Sequence, residues 1–124
     1  MIDVCSDANV AYQWFHAEGE DPVQVEASRT LAQLPADGAV TLWILDLTRY
    51  EVANASLLGS AKVSVERVST VLDALAEICP VIDPTVDELH EAARLAVRHR
   101  LTMYDATYAA VARSREAELA TLDK

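Results

Sequence analysis

Cysteine is scarce in this chain, with Cys5 and Cys79 only, in apolar settings and without CxxC spacing or a neighbouring histidine cluster. That excludes a zinc cage and a disulfide framework, and leaves both as buried reduced thiols. Long apolar runs are missing too: charge interrupts every apolar stretch well before the roughly 20 residues needed to cross a bilayer. Asp3 stands where a signal peptide would carry basic residues. These absences point to a cytoplasmic protein with no membrane contact. Basic residues are few, 10 Lys and Arg against 20 Asp and Glu, for a net charge of −10. Phosphate binding is normally driven by Lys and Arg, so bulk electrostatics favours a protein partner over nucleic acid. No internal repeat or low-complexity segment is present.

What remains is a chain of 124 residues with 52% hydrophobic residues, enough for the core of one compact domain spanning residues 1–124. A strand over Met1 to Ser6 is predicted to end where Asp7 turns the chain into a helix carrying Val10, Ala11, Trp14 and Phe15. Pro22 opens a second helix, closed by Pro35 and Gly38, and the β-branched and aromatic run Val40 to Leu45 is a buried strand. Asp46 or Thr48 caps a helix to about Leu58, stopped by Gly59, and Val63 to Ile78 carries the next. Cys79 to Ile82 reads as a short strand, and Asp83-Pro84 as N-cap and first-turn proline of a helix to about His99. Asp105 starts a further helix ending near Arg115, and Leu119 to Leu122 reads as the last strand. Strands alternating with helices predict an α/β sandwich with a mainly parallel sheet, whose ligands collect beyond the carboxyl ends of the strands.

Four acids stand in apolar phrases spread along the chain: Asp7, Glu51 in Arg49-Tyr50-Glu51-Val52-Ala53-Asn54, Asp105 in Met103-Tyr104-Asp105-Ala106, and Asp123 in Thr121-Leu122-Asp123. Carboxylates gathered in one hollow repel each other strongly unless a cation stands between them. The pattern therefore predicts a Mg2+ or Mn2+ site suited to phosphodiester hydrolysis. Asp7 and Asp105, each at a helix start, are the direct ligands in this reading, because the positive end of the helix dipole helps to hold like charges together. Asp123 completes the cluster, and Glu51, one turn inside its helix, reaches a second ion or orients water. Asn9 and Thr121 are polar supports for the carboxylates.

Each residue also has a bland reading. Asp7 and Asp105 could be helix caps, Glu51 a solvated helix residue and Asp123 part of a frayed end. Tyr50, Tyr104 and Tyr108 fit core or rim packing, with base stacking as the alternative; His16, His90 and His99 fit the surface. Arg94, Arg98 and Arg100 make the one basic concentration. They are either a solvated face beside Glu91 or, with Arg49, Arg113 and Lys124, a contact for RNA phosphates.

In order and spacing the four phrases resemble the PIN domain family, and within it the VapC-type toxins of bacterial toxin-antitoxin pairs; the resemblance runs from Ile2 to Asp123. It implies a PIN-like three-layer α/β/α sandwich, an acidic pocket holding Mg2+ or Mn2+, and ribonuclease activity on structured RNA such as transfer or ribosomal RNA. It places Asp7, Glu51, Asp105 and Asp123 on the family's acidic quartet, and Asn9 and Thr121 on its supporting positions. It further implies a homodimer silenced by a cognate VapB-type antitoxin whose tail covers the pocket. Two departures stand out. Ser6 replaces an apolar strand residue, which should loosen that strand end, and the chain stops at Lys124, so that the C-terminal edge element is expected to be missing or short. The competing expectation is a PIN-like protein-interaction module with weak or no nuclease activity, its acids facing a basic partner. A DNA nuclease of the flap endonuclease type fits poorly, since no clamp or arch segment is present.

Overall fold

The computed structural model describes residues 2–59 and 61–122. Along the chain come β1 (Ile2–Ser6), α1 (Ala8–Gln13), α2 (Pro22–Gln33), β2 (Val40–Leu45), α3 (Asp46–Leu58), α4 (Val65–Ile78), β3 (Val81–Ile82), α5 (Val86–His99), α6 (Met103–Ser114) and β4 (Glu118–Ala120). The described strands form one sheet of order β3-β2-β1-β4, every pair parallel. Parallel neighbours demand crossovers, and the helices supply them on both faces.

Side-chain alternation along the two central strands shows how the layers form. Val4, Leu42 and Ile44 point to one face and pack with Ala11, Val52, Val71 and Leu75 from α1, α3 and α4. Cys5, Trp43 and Leu45 point to the other and meet Tyr108, Val111 and Ala112 of α6. Behind α6 lies α5, joined to it through small side chains, Ala92 against Ala106 and Ala110, which let two helix backbones approach closely. A sheet buried on both faces needs near-continuous apolar strands, and Val40 to Leu45 supplies one. Both thiols are buried and reduced, and burial pushes each up to about 12.

Local signals set the element ends. Gly59 closes α3 because a Cβ there would collide with the Ala55 carbonyl, to which its own amide donates. The α5 cap differs from expectation: Thr85, not Asp83, is the N-cap, and Thr85 with Glu88 forms a reciprocal capping box. Likewise α6 begins two residues before Asp105, its cap being Thr102, whose hydroxyl accepts the Asp105 amide at 3.1 Å. The fourth strand is Glu118–Ala120, earlier than the stretch to Leu122. Ser6 does not loosen β1: it is fully buried in register with Ala120, and the Asp7 amide continues the ladder to the Ala120 carbonyl at 3.0 Å. His16 is no surface residue; it is 3% exposed, stacked on Tyr12 with its Nε2 2.9 Å from Ser56 Oγ. Because Ser56 donates its hydrogen to the Val52 carbonyl, His16 must be the donor to Ser56, tying α1 to α3.

Candidate active site

The site begins where β1 ends. Ser6 is the last residue of the strand and Asp7 the N-cap of α1, its Oδ1 accepting the Val10 amide at 3.0 Å. Asp7 thus does serve as a cap, and it is also 8% exposed at the carboxyl edge of the sheet. Asp105 reaches the same place from the first turn of α6. The two carboxylates line one hollow of about 250 Å³ together with Leu101, Tyr108, Ala109, Leu119 and Thr121. Its walls are apolar, so charge inside is poorly screened.

Glu51 approaches from α3. Tyr108, which lines the hollow, donates its hydroxyl to Glu51 Oε1 at 3.0 Å, and the same hydroxyl is 2.7 Å from Thr48 Oγ1. Thr48 in turn accepts the Leu45 amide at 3.1 Å, at the end of β2. Burial raises the Glu51 carboxyl above its ordinary value; the Tyr108 hydrogen bond opposes this, and the charges of Asp105 and Asp7 add to it. Glu51 therefore feels both of the other acids although the chain separates them widely. Burial also raises the Tyr108 phenol, which stays protonated as a donor at neutral pH.

The other candidates are placed unequally. Thr121 lines the hollow, whereas Asn9 is exposed in the first turn of α1 and is not part of the lining. Asp123 lies outside the described residues. Arg49 is paired with Asp46, and Arg94 donates to Glu91 at 2.9 Å, the solvated-face arrangement. Arg98 is exposed in the last turn of α5 and Arg100 is its C-cap, left-handed at φ 55° and followed directly by Leu101 of the hollow. Tyr50 and Tyr104 are exposed, while Tyr108 is buried. Sequence reading gave Tyr108 a packing role and Thr48 a capping role; their link to Glu51 carries no local signal, since residues 57 positions apart make the bond.

A larger cavity, about 550 Å³, lies between α5 and α6, lined by Thr85, Asp87, Glu88, Glu91, Arg113 and others. Its buried acid is already neutralised: Glu88 receives both Arg115 Nη2 at 2.9 Å and Nε at 3.0 Å. Arg49 is engaged by Asp46 and Arg115 by Glu88, so both arginines are committed to other acids. Chemistry, not size, marks the site.

The donor set suits a hard divalent cation, being carboxylate oxygen with a hydroxyl nearby. Among the described residues no three His, Cys, Asp or Glu side chains stand close enough to hold one ion between them. That spacing fits an ion bound by one or two carboxylates and otherwise by water, the usual manner of Mg2+.

A parallel α/β sandwich with acids beyond its strand ends places a candidate site where such sheets collect ligands, and the fold by itself leaves the activity open. Comparison makes the class definite. The PIN domain family model matches residues 4–124, and the chain belongs to that family. Its likeness is to VapC-type members: Ribonuclease VapC3 of Pyrobaculum aerophilum is 35% identical over 104 residues, 80% of this chain and 75% of that protein. Among solved structures, PAE2754 from Pyrobaculum aerophilum aligns with a TM-score of 0.69 and 27% identity, covering 99% of this chain and 82% of that one. VapC20 of Mycobacterium tuberculosis, described as a sarcin-ricin loop cleaving toxin, aligns with a TM-score of 0.74 over 97% of this chain and 89% of its own, at 18% identity. VapBC2 from Rickettsia felis, solved with a DNA fragment of its promoter, aligns with a TM-score of 0.67 over 98% of this chain and 88% of its own, at 16% identity.

Proposed function

We propose that this chain is a metal-dependent endoribonuclease, the toxin of a type II toxin-antitoxin pair, which hydrolyses phosphodiester bonds in structured RNA. The observation that carries the reading is the shared hollow of Asp7 and Asp105, with Glu51 held at its side, its carboxyl raised first by burial and further by both of their charges. Asp7 and Asp105 are the residues to hold Mg2+ or Mn2+, with Glu51 reaching it directly or through water and Asp123 as the fourth acid. When bound, such an ion lowers the pKa of a coordinated water and neutralises charge growing on the phosphate. The protein's own part is positional. The ladder bond from Asp7 to Ala120 and the α1 cap fix the first carboxylate, Thr102 fixes the turn bearing Asp105, and Leu101, Ala109 and Leu119 supply an apolar lining. Thr121 of the lining is a supporting donor, and Asn9, which lies outside the lining, would act only through water.

The ribonuclease relative supports an RNA substrate, which in this reading is transfer or ribosomal RNA, and the Rickettsia felis pair supports a VapB-type antitoxin as partner. An acidic hollow in a chain of net charge −10 suits a basic antitoxin side chain. Leu57, Leu58 and Val65, exposed at the end of α3 and the start of α4, give a homodimer an apolar surface. A cytoplasmic location accompanies this reading; no described helix is long and apolar enough to cross a membrane.

The test is cleavage of structured RNA by purified protein with added Mg2+ or Mn2+. EDTA should abolish it, and Asp7→Asn or Asp105→Asn should lower the rate at least ~100-fold with the circular dichroism spectrum unchanged. Cleavage that survives both substitutions removes these residues from the chemistry. The net charge of −10 favours one second reading, an interaction module that binds a basic protein. Isothermal titration showing no divalent binding up to millimolar concentrations would select it.

A further inference from the structure

Glu51, beside the hollow, is held by a hydroxyl from another helix, that of Tyr108 in α6, and the order of the hydrogen bonds that hold it can be deduced. An amide only donates, so the hydrogen between Leu45 and Thr48 is given to Thr48 Oγ1 at 3.1 Å. An ionised carboxylate only accepts, so Tyr108 gives its single hydrogen to Glu51 Oε1 at 3.0 Å. The 2.7 Å contact between the two hydroxyls then has one remaining solution, Thr48 donating to Tyr108. The result is a chain with one direction, from the end of β2 through two buried hydroxyls to one carboxylate oxygen. Thr48 is fully buried and Tyr108 is 3% exposed.

We infer that Tyr108, backed by Thr48, is a positioning residue that aims one oxygen of Glu51 and leaves the other for a divalent cation or its water. The inference rests on the metal-site reading above and adds to it a named support. Three arguments favour it over simple packing. Phe would fill the same space in the core cluster of Cys5, Trp43, Leu45 and Val111, so packing alone does not call for the hydroxyl. The hydroxyl serves a residue of another helix and not its own backbone. Consecutive polarised hydrogen bonds strengthen one another, and the last acceptor, a carboxylate, gains most.

The experiment is Mn2+ binding to metal-free protein, read by electron paramagnetic resonance, for wild type, Tyr108→Phe, Glu51→Gln and the double variant. Outer supports of metal ligands are worth 10 to 100-fold in affinity, so Tyr108→Phe should weaken Mn2+ binding about 10-fold. In the Glu51→Gln background the same substitution should change affinity less than about twofold, because a residue acting through Glu51 has nothing left to aim. Thr48→Ser should bind as wild type does and Thr48→Val should resemble Tyr108→Phe, a split that loss of packing does not produce. Tyr108→Phe binding Mn2+ as tightly as wild type, while Glu51→Gln binds weakly, overturns the positioning role and leaves the metal site standing. Equal losses in both backgrounds overturn it as well, by making Tyr108 merely structural. A wild type that binds no Mn2+ brings down the metal-site reading and this inference with it.

Discussion

Glu51 and Glu88 are both glutamates withdrawn from solvent beside α6, and the fold treats them in opposite ways. Glu88 is 5% exposed and fully provided for: Arg115 grips both its oxygens, and the Thr85 amide donates to one of them at 2.8 Å. Its carboxyl is held at about 2, the Arg115 hydrogen bonds being the main cause. Glu51 receives a neutral phenol, and burial, helped by the charges of Asp105 and Asp7, pushes its carboxyl the other way. An acid that a fold keeps for structure is neutralised by the fold itself. An acid desolvated among other acids is a candidate for a functional site, and in the proposed function a cation offsets its charge.

Breaking the structural acid should give the larger stability effect. Glu88→Ala strips Arg115 of its partner and removes the α5 capping box in one step; with Arg115 one-third exposed, we expect about 2–3 kcal/mol lost in urea unfolding. A loss under about 0.5 kcal/mol would make the pair an ordinary surface bridge. The pH dependence follows from the sign of the shift. A carboxyl moved down from 4.5 to about 2 favours the folded state at every pH above 4.5, and that contribution drains away as pH falls from 4.5 toward 2. Glu88→Gln should flatten this acid limb. Glu51 runs the other way: raised in the fold, its ionised form opposes folding at neutral pH, and protonation relieves the strain as pH falls toward 4.5.

The functional acid should therefore be dispensable for stability. Glu51→Gln keeps an acceptor for Tyr108 and removes a repelled charge, and metal-free protein should gain about 0.5 kcal/mol after screening is allowed for. Added Mn2+ should reverse the ranking, since an ion that binds only the folded wild type stabilises it by mass action. A Glu51→Gln protein less stable than wild type without metal would erase the contrast between the two glutamates.

How much of this the sequence disclosed depends on the distance over which each feature acts. β2 and α3 were legible because their signals are local, a β-branched run and then a change of period from 2 to 3.6. The α5 cap was misassigned because two valid cap patterns compete within three residues, Asp83-Pro84 and Thr85-x-x-Glu88, and only packing of the helix end decides between them. His16 was placed at the surface because its partner Ser56 is 40 positions away and nothing near His16 predicts it. The apolar phrases around Asp7, Glu51 and Asp105 marked the acids, yet the roles of Thr48 and Tyr108 exist only once α3 and α6 stand side by side. Asp123 lies outside the described residues, so its expectation stays with the proposal.

The smallest predicted effect concerns the arginines, and it carries the same contrast between spent and available charge to the surface. Arg94 is spent on Glu91 and Arg49 on Asp46, so neither offers its charge to RNA without first giving up a partner. Arg100 caps α5 immediately before Leu101 at the wall of the hollow, and in the proposed function it is the arginine whose place in the chain best suits a phosphate. Arg100→Ala keeps the same left-handed backbone requirement for a side chain, so the comparison is with charge and not with strain. Binding of uncleaved RNA to an Asp7→Asn background should weaken roughly three- to tenfold on Arg100→Ala, with the slope of log affinity against log salt falling by about one. Arg94→Ala should change both by less than about twofold. The reverse order would move the RNA track to the outer face of α5 and show that the Arg94 to Glu91 pair opens on binding.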